Sequence, residues 1–587
     1  MIAEDRSILK AAPRAAPTES VMRRSNVLAG VLAWSFTVAL LVILGRVGQL
    51  QHRPTERVVG RAEARDRLAA IPARRGSLLD RRGRVIAASR VGHRLFADPM
   101  LIENVGEFPI HVAHAAELDT AAISRALDRR WRTRYVPLAP LLSDEQLAKV
   151  RDLNLPGIAW QPRAVRHYPH GPLAGQLIGA VGDEQIGLDG LEYQFNTRLT
   201  GQSGSMRVLR DASRRAVWID GGTYQPPTDG DAVRLSIDMV IQAAVESELA
   251  AACEKFKAQR AQCIVMSATD GQILAMANWP SFDPSNLRVT PADRRRNQCV
   301  TDPYEPGSVF KPFVFAAALA HGVVRTEDQI DCTDTGVYVS AYGRRLHDAR
   351  PHGQVSSDDV VVVSSNIGMA IIGQRLGALR MYEAVRAFGF GRPTGAKLPG
   401  ASVGIVNPLA EWNHYSETSV PMGQEIAVTP LQLARGLSAF ANDGHIVTPS
   451  VFANDAADPI LTRAVDSATA DHLRDVMRRV VTEGTGRRGR SSMYSIWGKT
   501  GTAQIPDRIK GGYQSDQYVA SFICGAPFDD PRIVVVVAVH QPDPEIGYYG
   551  GTVAAPVARA VVDQTLSYLG VPSSDSDSSA RSVATAD

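Results

Sequence analysis

The chain of 587 residues has little lysine and little cysteine. Eight of its 64 basic side chains are lysines and the others are arginines, so a lysine is the exception wherever it stands. The net charge is only +3 and the basic residues are scattered, which argues against nucleic-acid binding. No glycine-rich phosphate loop occurs, so a nucleotide cofactor is not expected.

The five cysteines form neither a CxxC pair nor a metal-binding spacing. Their odd number prevents complete internal pairing. A disulfide between Cys253 and Cys263 is left open, and inert buried thiols are the expected alternative. His347 and His352 flank Asp348, but this spacing matches no metal site, and a surface loop is predicted there.

A single long apolar run lies near the N-terminus. Residues 25–45 carry no charge and are long enough to cross a bilayer as a helix. A cleaved signal peptide would have a shorter apolar core followed by small residues, whereas Arg46 and Val47 follow here, which favours an uncleaved anchor. Basic residues in the tail at 1–24 predict a cytosolic N-terminus and place everything after Arg46 outside the cytosol.

Composition divides the remaining chain. Residues 46–70 are polar and Arg-rich with helical spacing, and they predict a stalk leading into a first domain that ends near residue 227. Within this first domain, residues 121–131 and 143–152 predict two helices.

A Pro- and Gly-containing boundary follows, and residues 228–570 show strands at both ends with helices between them, which predicts an α+β domain with one antiparallel sheet. The predicted strands include a pair within residues 262–279, joined by a turn at 269–271, and two later strands at 518–525 and 532–540. Residues 571–587 are Ser- and Asp-rich and predict a disordered tail.

Ser308 and Lys311 stand three residues apart at the start of an apolar run. Pro306 and Gly307 interrupt the preceding structure, and Pro312 is tolerated only in the first turn of a helix. A helix is therefore predicted to begin near Ser308, with Ser308 and Lys311 on one face. A neutral lysine in that position can take the proton of the hydroxyl group and generate a nucleophile.

The pair is weak evidence alone, because Ser7 and Lys10 have the same spacing in a tail with no sign of a fold. Lysine scarcity strengthens it, since an arginine cannot lose its proton and a buried lysine can. A second lysine, Lys499, begins the run Lys499-Thr500-Gly501-Thr502, and Ser364-Ser365-Asn366 lies between the two lysines.

These three motifs, in this order, resemble those of penicillin-binding proteins and serine β-lactamases. Residues 74–87, which predict two short strands around a turn, and residues 166–193 resemble the pedestal of class B penicillin-binding proteins. The resemblance covers residues 74–565. The runs at 305–308, 422–430 and 550–556 look more like the division-septum type than the elongation type.

The resemblance implies a membrane-anchored, dimerisation-type pedestal followed by a serine β-lactamase-like transpeptidase domain that needs no metal or cofactor. It implies that Ser308 is the nucleophile, Lys311 its base, and Ser364 a proton relay to the leaving amine. Asn366 would orient Lys311 and bind a substrate amide, and Lys499 would lower the pKa of Lys311 and hold a substrate carboxylate.

The third motif would form the substrate-binding strand at Thr500, Gly501 and Thr502. Gly501 is expected to leave room for the substrate, and the backbone N–H groups of Ser308 and Thr502 are expected to form the oxyanion hole. Expected ligands are peptidoglycan stem peptides and β-lactams. Expected partners are a polytopic glycan-polymerising membrane protein, contacted through residues 25–45 and the pedestal, and other division proteins.

Four alternatives stay open at this level. An elongation-type transpeptidase would carry the same motifs, and so would a D,D-carboxypeptidase or β-lactamase, although such hydrolases usually have no pedestal. A β-lactam sensor would need a cytosolic signalling domain, for which the predicted 24-residue tail is too short. A non-catalytic division scaffold would tolerate loss of Ser308. The expected location is the bacterial cytoplasmic membrane, with a single span.

Overall fold

The computed structural model describes residues 19–52, 66–210, 216–453, 459–507 and 509–573. Most of the predicted N-terminal tail, residues 53–65 of the predicted stalk and residues 574–587 of the predicted C-terminal tail lie outside the described residues. The chain divides into two compact units. The first contains Met1–Ile71 and Gly204–Pro226, and the second contains Pro72–Ser203 and Pro227–Asp587.

The first unit contains a long helix and a small sheet. Helix α1 (Glu19–His52) includes the predicted span, and its side chains from residue 26 to residue 46 are exposed. Among the described residues it is the one helix long and apolar enough to cross a membrane. The sheet has the strand order β1-β6-β7 and consists of β1 (Asp66–Ile71), β6 (Gly204–Arg210) and β7 (Ala216–Gln225).

The prediction of helical spacing throughout residues 46–70 is wrong at its C-terminal end. Helix α1 continues to His52, but β1 pairs antiparallel with β6, so that Asp66 lies opposite Leu209 and Ile71 opposite Gly204. The hydrogen-bonding partner of this segment is remote in sequence. A local pattern therefore cannot reveal the strand.

The N-terminal part of the second unit is built on a mixed sheet with the order β4-β3-β2-β8, and β5 pairs with β3. The predicted hairpin near residue 80 is present, formed by Leu78–Leu79 and the start of Val85–Ala97. The two helices predicted between residues 120 and 152 are also present, at Thr120–Arg130 and Asp144–Asp152. Its strands are β2 (Leu78–Leu79), β3 (Val85–Ala97), β4 (Val136–Leu142), β5 (Ile158–His167) and β8 (Val233–Arg234). Its helices are α2 (Phe108–Ala116), α3 (Thr120–Arg130), α4 (Asp144–Asp152), α5 (Gly175–Ile178), α6 (Gly190–Gln194) and α7 (Asn196–Leu199).

A buried charge cluster joins the two sequence blocks that resemble a pedestal. Glu192 Oε2 accepts a hydrogen bond from Arg75 Nε at 2.6 Å, and Glu192 Oε1 accepts one from Arg166 Nε at 2.6 Å. All three side chains are almost completely buried. Because buried charges must be paired, each residue of this cluster depends on the other two.

The C-terminal part of the second unit is organised around an antiparallel sheet with the order β10-β9-β21-β20-β19. The predicted strand pair joined near residue 270 is confirmed, as are the two predicted strands between residues 518 and 540. Its strands are β9 (Arg260–Ser267), β10 (Ile273–Trp279), β19 (Trp497–Pro506), β20 (Tyr513–Ala526) and β21 (Ile533–His540). Together with the flanking helices, this confirms the predicted α+β fold.

Helices cover both faces of the sheet because its central strands are apolar on both sides. One face packs against α8 (Met239–Phe256) and α18 (Gly550–Tyr568), and the other packs against α16 (Pro430–Leu437) and α17 (Ser467–Thr482). Further helices are α9 (Ala292–Arg295), α10 (Gln298–Thr301), α11 (Lys311–Ala320), α12 (Ser357–Val362), α13 (Asn366–Leu376), α14 (Ala378–Ala387) and α15 (Ser416–Ser419). Short paired strands are β11 (Gln329–Asp331), β12 (Val337–Val339), β13 (Arg345–His347), β14 (Gln354–Ser356), β15 (Ile405–Val406), β16 (Ile426–Ala427), β17 (His445–Val447) and β18 (Leu461–Arg463).

All five cysteines are buried and unpaired, so the disulfide left open between Cys253 and Cys263 does not form. Burial raises the pKa of the Cys253 thiol to about 12. A protonated thiol is a poor nucleophile, and the cysteines therefore contribute to the core rather than to chemistry.

Candidate active site

Ser308 lies in a tight turn that leads into α11. A 3₁₀ turn at Gly307–Phe310 precedes the helix, and Pro312 stands in the first helical turn, as predicted. Gly307 has a φ of +59° and donates its N–H to the carbonyl oxygen of Gly423 at 3.0 Å. This hydrogen bond holds the turn against the segment that contains Gly423. Ser308 itself is half-buried, and its hydroxyl group forms no hydrogen bond with any described residue.

Lys311 is completely buried one turn beyond Ser308. Its Nζ donates hydrogen bonds to the carbonyl oxygen of Ser364 at 2.6 Å and to Oδ1 of Asn366 at 2.9 Å, and it lies 3.3 Å from Oγ of Ser364. Burial lowers the pKa of Lys311 to about 7, against the opposing attraction of Asp348. The amine is therefore partly neutral at physiological pH.

Lys499 approaches the same serine from β19. Its Nζ donates to Oγ of Ser364 at 2.7 Å and to the carbonyl oxygen of Thr500 at 3.2 Å. Burial, and then the neighbouring charge of Lys311, hold the pKa of Lys499 well below its usual range. The hydroxyl group of Ser364 thus lies between two buried amines. Ser364 has a φ of +66°, a conformation that non-glycine residues rarely adopt and that often marks functional sites.

Asp348 organises the middle motif, although the sequence predicted only a surface loop at this position. Its Oδ2 accepts a hydrogen bond from Oγ of Ser365 at 2.5 Å, and its Oδ1 accepts from the backbone N–H groups of Asn366 and Ile367. The carboxylate therefore caps the N-terminus of α13, where negative charge is favourable. His347 contributes its carbonyl oxygen, which accepts from Nδ2 of Asn366 at 3.0 Å.

The sequence contains one signal for this role. The middle motif carries Ser365 where the Ser-Asp-Asn form has an aspartate. A carboxylate from elsewhere in the chain can take the place of that aspartate, and Asp348 does so through its hydrogen bond with Ser365.

Gly501 is closely surrounded by other atoms of the protein, most of them side-chain atoms. A Cβ atom there would lie 2.5 Å from Oγ of Ser521, 2.8 Å from Cγ1 of Val309 and 3.1 Å from the carbonyl oxygen of Pro306. The last two belong to the turn that carries Ser308. Close packing of β19 against the nucleophile turn is thus one reason for a glycine here, and the expected one, room for a substrate, stays a prediction.

The side chains of Thr500 and Thr502 do not join the two lysines. The Thr500 hydroxyl group lies 2.6 Å from that of Thr485, and the Thr502 hydroxyl group accepts from the N–H of Gly550 at 3.1 Å. Both contacts hold β19 in place from the face opposite Lys499. Because β19 is the edge strand of its sheet, one side of its backbone has no strand partner within the sheet.

Comparisons with known proteins agree with this geometry. The penicillin-binding protein transpeptidase domain family matches residues 261–563, and the penicillin-binding protein dimerisation domain family matches residues 70–235. Stage V sporulation protein D of Bacillus subtilis is 32% identical over 91% of this chain and 84% of its own length. Peptidoglycan D,D-transpeptidase FtsI of Escherichia coli K12 is 29% identical over 95% of this chain and 96% of its own length.

A solved structure shows the same fold. Penicillin-binding protein 3 of Mycobacterium tuberculosis, crystallised with aztreonam, aligns with a TM-score of 0.66 at 26% identity and covers 86% of this chain and 98% of its own. Motifs, fold and relatives therefore agree. The chain belongs to the class B penicillin-binding proteins of the FtsI type, which are peptidoglycan D,D-transpeptidases that bind peptidoglycan and β-lactams.

Proposed function

We propose that Ser308 forms the acyl-enzyme of this transpeptidase, with Lys311 as its base, and that the enzyme cross-links peptidoglycan at the division septum. The observation that carries the proposal is the hydrogen-bonded series Lys311–Ser364–Lys499 beside Ser308. It supplies a nucleophile, a base and a proton path within one buried cluster.

Hydrogen bonding supports a neutral Lys311. A neutral amine has two N–H donors and one lone pair, and two carbonyl-type oxygens at 2.6 and 2.9 Å occupy the two donors. The lone pair is then left for a serine hydroxyl group. Lys499 donates to Oγ of Ser364 in this arrangement, so the Ser364 hydroxyl group lies within reach of both amines.

Acylation then proceeds in balanced steps. Lys311 takes the proton of Ser308 as its Oγ attacks the carbonyl carbon of the penultimate D-Ala of a stem peptide. The oxyanion is stabilised by the backbone N–H groups of Ser308 and Thr502. The C–N bond breaks, the terminal D-Ala leaves, and its amine receives the proton through Ser364.

Deacylation reverses these proton movements. The amine of a neighbouring stem attacks the ester carbonyl, gives up a proton through the same groups, and forms the cross-link as Ser308 regains its proton. Lys499 holds the terminal carboxylate of the donor, and Asn366 binds a peptide amide beside the reacting carbonyl group. A β-lactam acylates Ser308 by the same attack, with its ring amide as the leaving group.

The membrane arrangement follows from α1. Arg23 and Arg24 at its N-terminal end support a cytosolic N-terminus and an extracytoplasmic catalytic domain. The runs at 305–308, 422–430 and 550–556, which resemble those of the division-septum type, support a septal role. A polytopic glycan-polymerising protein would then contact α1 and the pedestal.

A fluorescent penicillin tests the nucleophile. Full-length protein in detergent is incubated with the reagent and separated under denaturing conditions. A covalent band that disappears in Ser308→Ala, and persists in Ser7→Ala, supports the assignment. A band of equal intensity in Ser308→Ala contradicts it. For the septal role, depletion in cells is expected to give filaments, whereas rounded cells would indicate the elongation type.

A further inference from the structure

The turn at residues 304–310, which we call the Ser308 turn, lies against β19 at two points. A Cβ atom on Gly307 would lie 3.1 Å from Cβ of Ala503. A Cβ atom on Gly501 would lie 2.8 Å from Cγ1 of Val309. The later residue of the turn thus faces the earlier residue of the strand, and the two segments run past each other in opposite directions.

Ser308 stands between these two contacts in the turn, and Thr502 stands between them in the strand. The backbone N–H groups of these two residues form the proposed oxyanion hole. The distance between the two N–H groups therefore depends on where the Ser308 turn lies along β19. A displacement of about 1 Å in such a geometry can lower a reaction rate about 100-fold.

The pairing of β19 with β20 becomes irregular just beyond Thr502. Gln504 of β19 pairs with Tyr518 of β20, and the next pair along the hairpin is Pro506 with Tyr513. One residue of β19 therefore lies opposite four residues of β20, and the ladder of hydrogen bonds is interrupted. Regular strand pairing alone does not fix the end of this hairpin relative to the active site.

The half-buried side chain of Glu305 supplies a further contact to the hairpin end. Its Oε2 accepts a hydrogen bond from the hydroxyl group of Tyr513 at 3.0 Å, and its Oε1 accepts one from the backbone N–H of Glu425 at 3.1 Å. One carboxylate oxygen thus holds the hairpin, and the other holds the segment at residues 423–428. Hydrogen bonds to a charged group are stronger than those between neutral groups.

The same segment also holds the backbone of the Ser308 turn. Gly307 donates its N–H to the carbonyl oxygen of Gly423, and Tyr304 and Val428 exchange two backbone hydrogen bonds at 3.1 and 2.9 Å. Glu305 lies between these two contacts in the chain. Its carboxylate therefore joins the hairpin end to a turn that is already fixed on its other side.

We propose that Glu305 is a positioning residue for acylation, whose carboxylate holds the Ser308 turn in register with β19 and so sets the distance between the N–H groups of Ser308 and Thr502. Glu305 does not touch the reacting atoms in this role. It acts through the backbone, by joining the hairpin end to the segment on the other side of the turn. The proposal rests on the proposed function, since it concerns the oxyanion hole of the same serine.

Acylation kinetics test this role. Full-length protein in detergent is mixed with benzylpenicillin at several concentrations, and the protein that has not yet reacted is then labelled with excess fluorescent penicillin. The dissociation constant of benzylpenicillin and the rate constant of acylation are obtained separately. Glu305→Ala should lower the rate constant about 10- to 100-fold and change the dissociation constant by no more than about twofold, because an oxyanion hole acts on the transition state.

A double-mutant cycle identifies the contact. Tyr513→Phe removes the hydroxyl group that donates to Glu305, and it should lower the same rate constant about tenfold. Glu305→Ala combined with Tyr513→Phe should be no slower than Glu305→Ala alone, since both changes remove one contact. Glu327→Ala, at an exposed glutamate, and Tyr382→Phe, at a tyrosine whose hydroxyl group has no hydrogen bond with any described residue, should change nothing.

Three results would overturn the inference. One is an unchanged rate constant of acylation in Glu305→Ala. Another is a smaller labelled fraction that reacts at the normal rate, which would assign Glu305 a role in folding alone. The third is a loss of rate with ampicillin, whose side chain carries an ammonium group, but not with benzylpenicillin, which would make Glu305 a binding residue for a cationic group.

Failure of the proposed function gives a different result. In that case the parent protein is not labelled at all, or the label persists in Ser308→Ala. A parent protein that labels normally through Ser308, together with Glu305→Ala that labels equally fast, would contradict only the positioning role.

Discussion

Asp348 accepts a hydrogen bond from the hydroxyl group of Ser365, and it supplies the carboxylate that the middle motif of this chain lacks. The same carboxylate caps α13 and so fixes the start of the helix that carries Asn366. Part of the catalytic apparatus is therefore held by a residue outside the three motifs. Its contribution can be measured.

Asp348→Asn should slow acylation by a fluorescent penicillin about 10- to 100-fold, because it loosens the start of α13 and so misplaces Asn366 beside Lys311. The amide has the shape of the carboxylate, but it has one acceptor oxygen instead of two and carries no negative charge. It therefore cannot accept all three hydrogen bonds that Asp348 accepts. Removing the negative charge also lowers the pKa of Lys311 further, so the pH midpoint of acylation should move downward. Asp334→Asn, on the exposed side of the same region, is the matched control. A normal rate and midpoint in Asp348→Asn would contradict the positioning role.

The acylation rate should rise with pH and level off above about 7. Lys311 acts as a base only when it is neutral, and burial places its pKa at about 7, so the active fraction grows as pH increases through that value. Stopped-flow labelling between pH 5.5 and 8.5 measures the profile. A rate that falls with rising pH in this range would exclude Lys311 as the base.

Lys311→Arg should lower acylation about 10²- to 10⁴-fold at every pH, because an arginine remains protonated. The same labelling experiment measures the loss, and thermal denaturation verifies that the variant is folded. Lys397→Arg, at an exposed lysine, should behave as the parent protein does. Substantial activity of Lys311→Arg would assign proton removal to another group.

Gly501→Ala should reduce penicillin labelling and lower the free energy of unfolding by about 1–3 kcal/mol, the usual cost of overpacking. The added methyl group would collide with Ser521 and with Val309 in the nucleophile turn. Ser521→Gly in the same chain removes the closest contact and should restore part of the stability. Gly182→Ala, where a methyl group meets only ordinary contacts, should be neutral. If Gly501→Ala labels and melts normally, the close packing of β19 is not important.

Glu192→Gln should destabilise the pedestal by about 3–5 kcal/mol, because it leaves Arg75 and Arg166 buried without a counter-charge. Denaturant unfolding followed by circular dichroism measures the change. Penicillin labelling at low temperature should be retained, since the cluster lies outside the catalytic motifs. Glu184→Gln removes an exposed carboxylate nearby and serves as the control. Equal stability of the two variants would show that the cluster is not structurally essential.

The sequence predicted most of the elements that bring the site together. The helix beginning near Ser308, the strand pair around residue 270 and the later strands follow from local signals, namely apolar runs, turn residues and the position of Pro312. The features that the sequence did not predict depend on contacts between residues that are distant in the chain. Strand β1 forms because β6 pairs with it, and Asp348 matters because α13 begins beside its carboxylate.

The packing around Gly501 was also beyond what the sequence could predict. A glycine in a strand indicates that something lies close to the backbone, but the pattern does not identify what this is. The structure shows that Ser521, together with Val309 and Pro306 of the Ser308 turn, lies beside it. The motifs identified the chemistry, and three-dimensional contacts identified what holds it in place.

The strand order of the catalytic sheet has a consequence for biosynthesis. Strands β9 and β10 precede Ser308 in the chain, but their neighbour β21 ends only at His540. Pairing between such distant segments is slow to form, because a long loop must close first. During synthesis the N-terminal domain and the Ser308 helix emerge well before the sheet can close. The sheet that brings Lys499 to Ser364 is therefore completed only after nearly the whole chain has been synthesised.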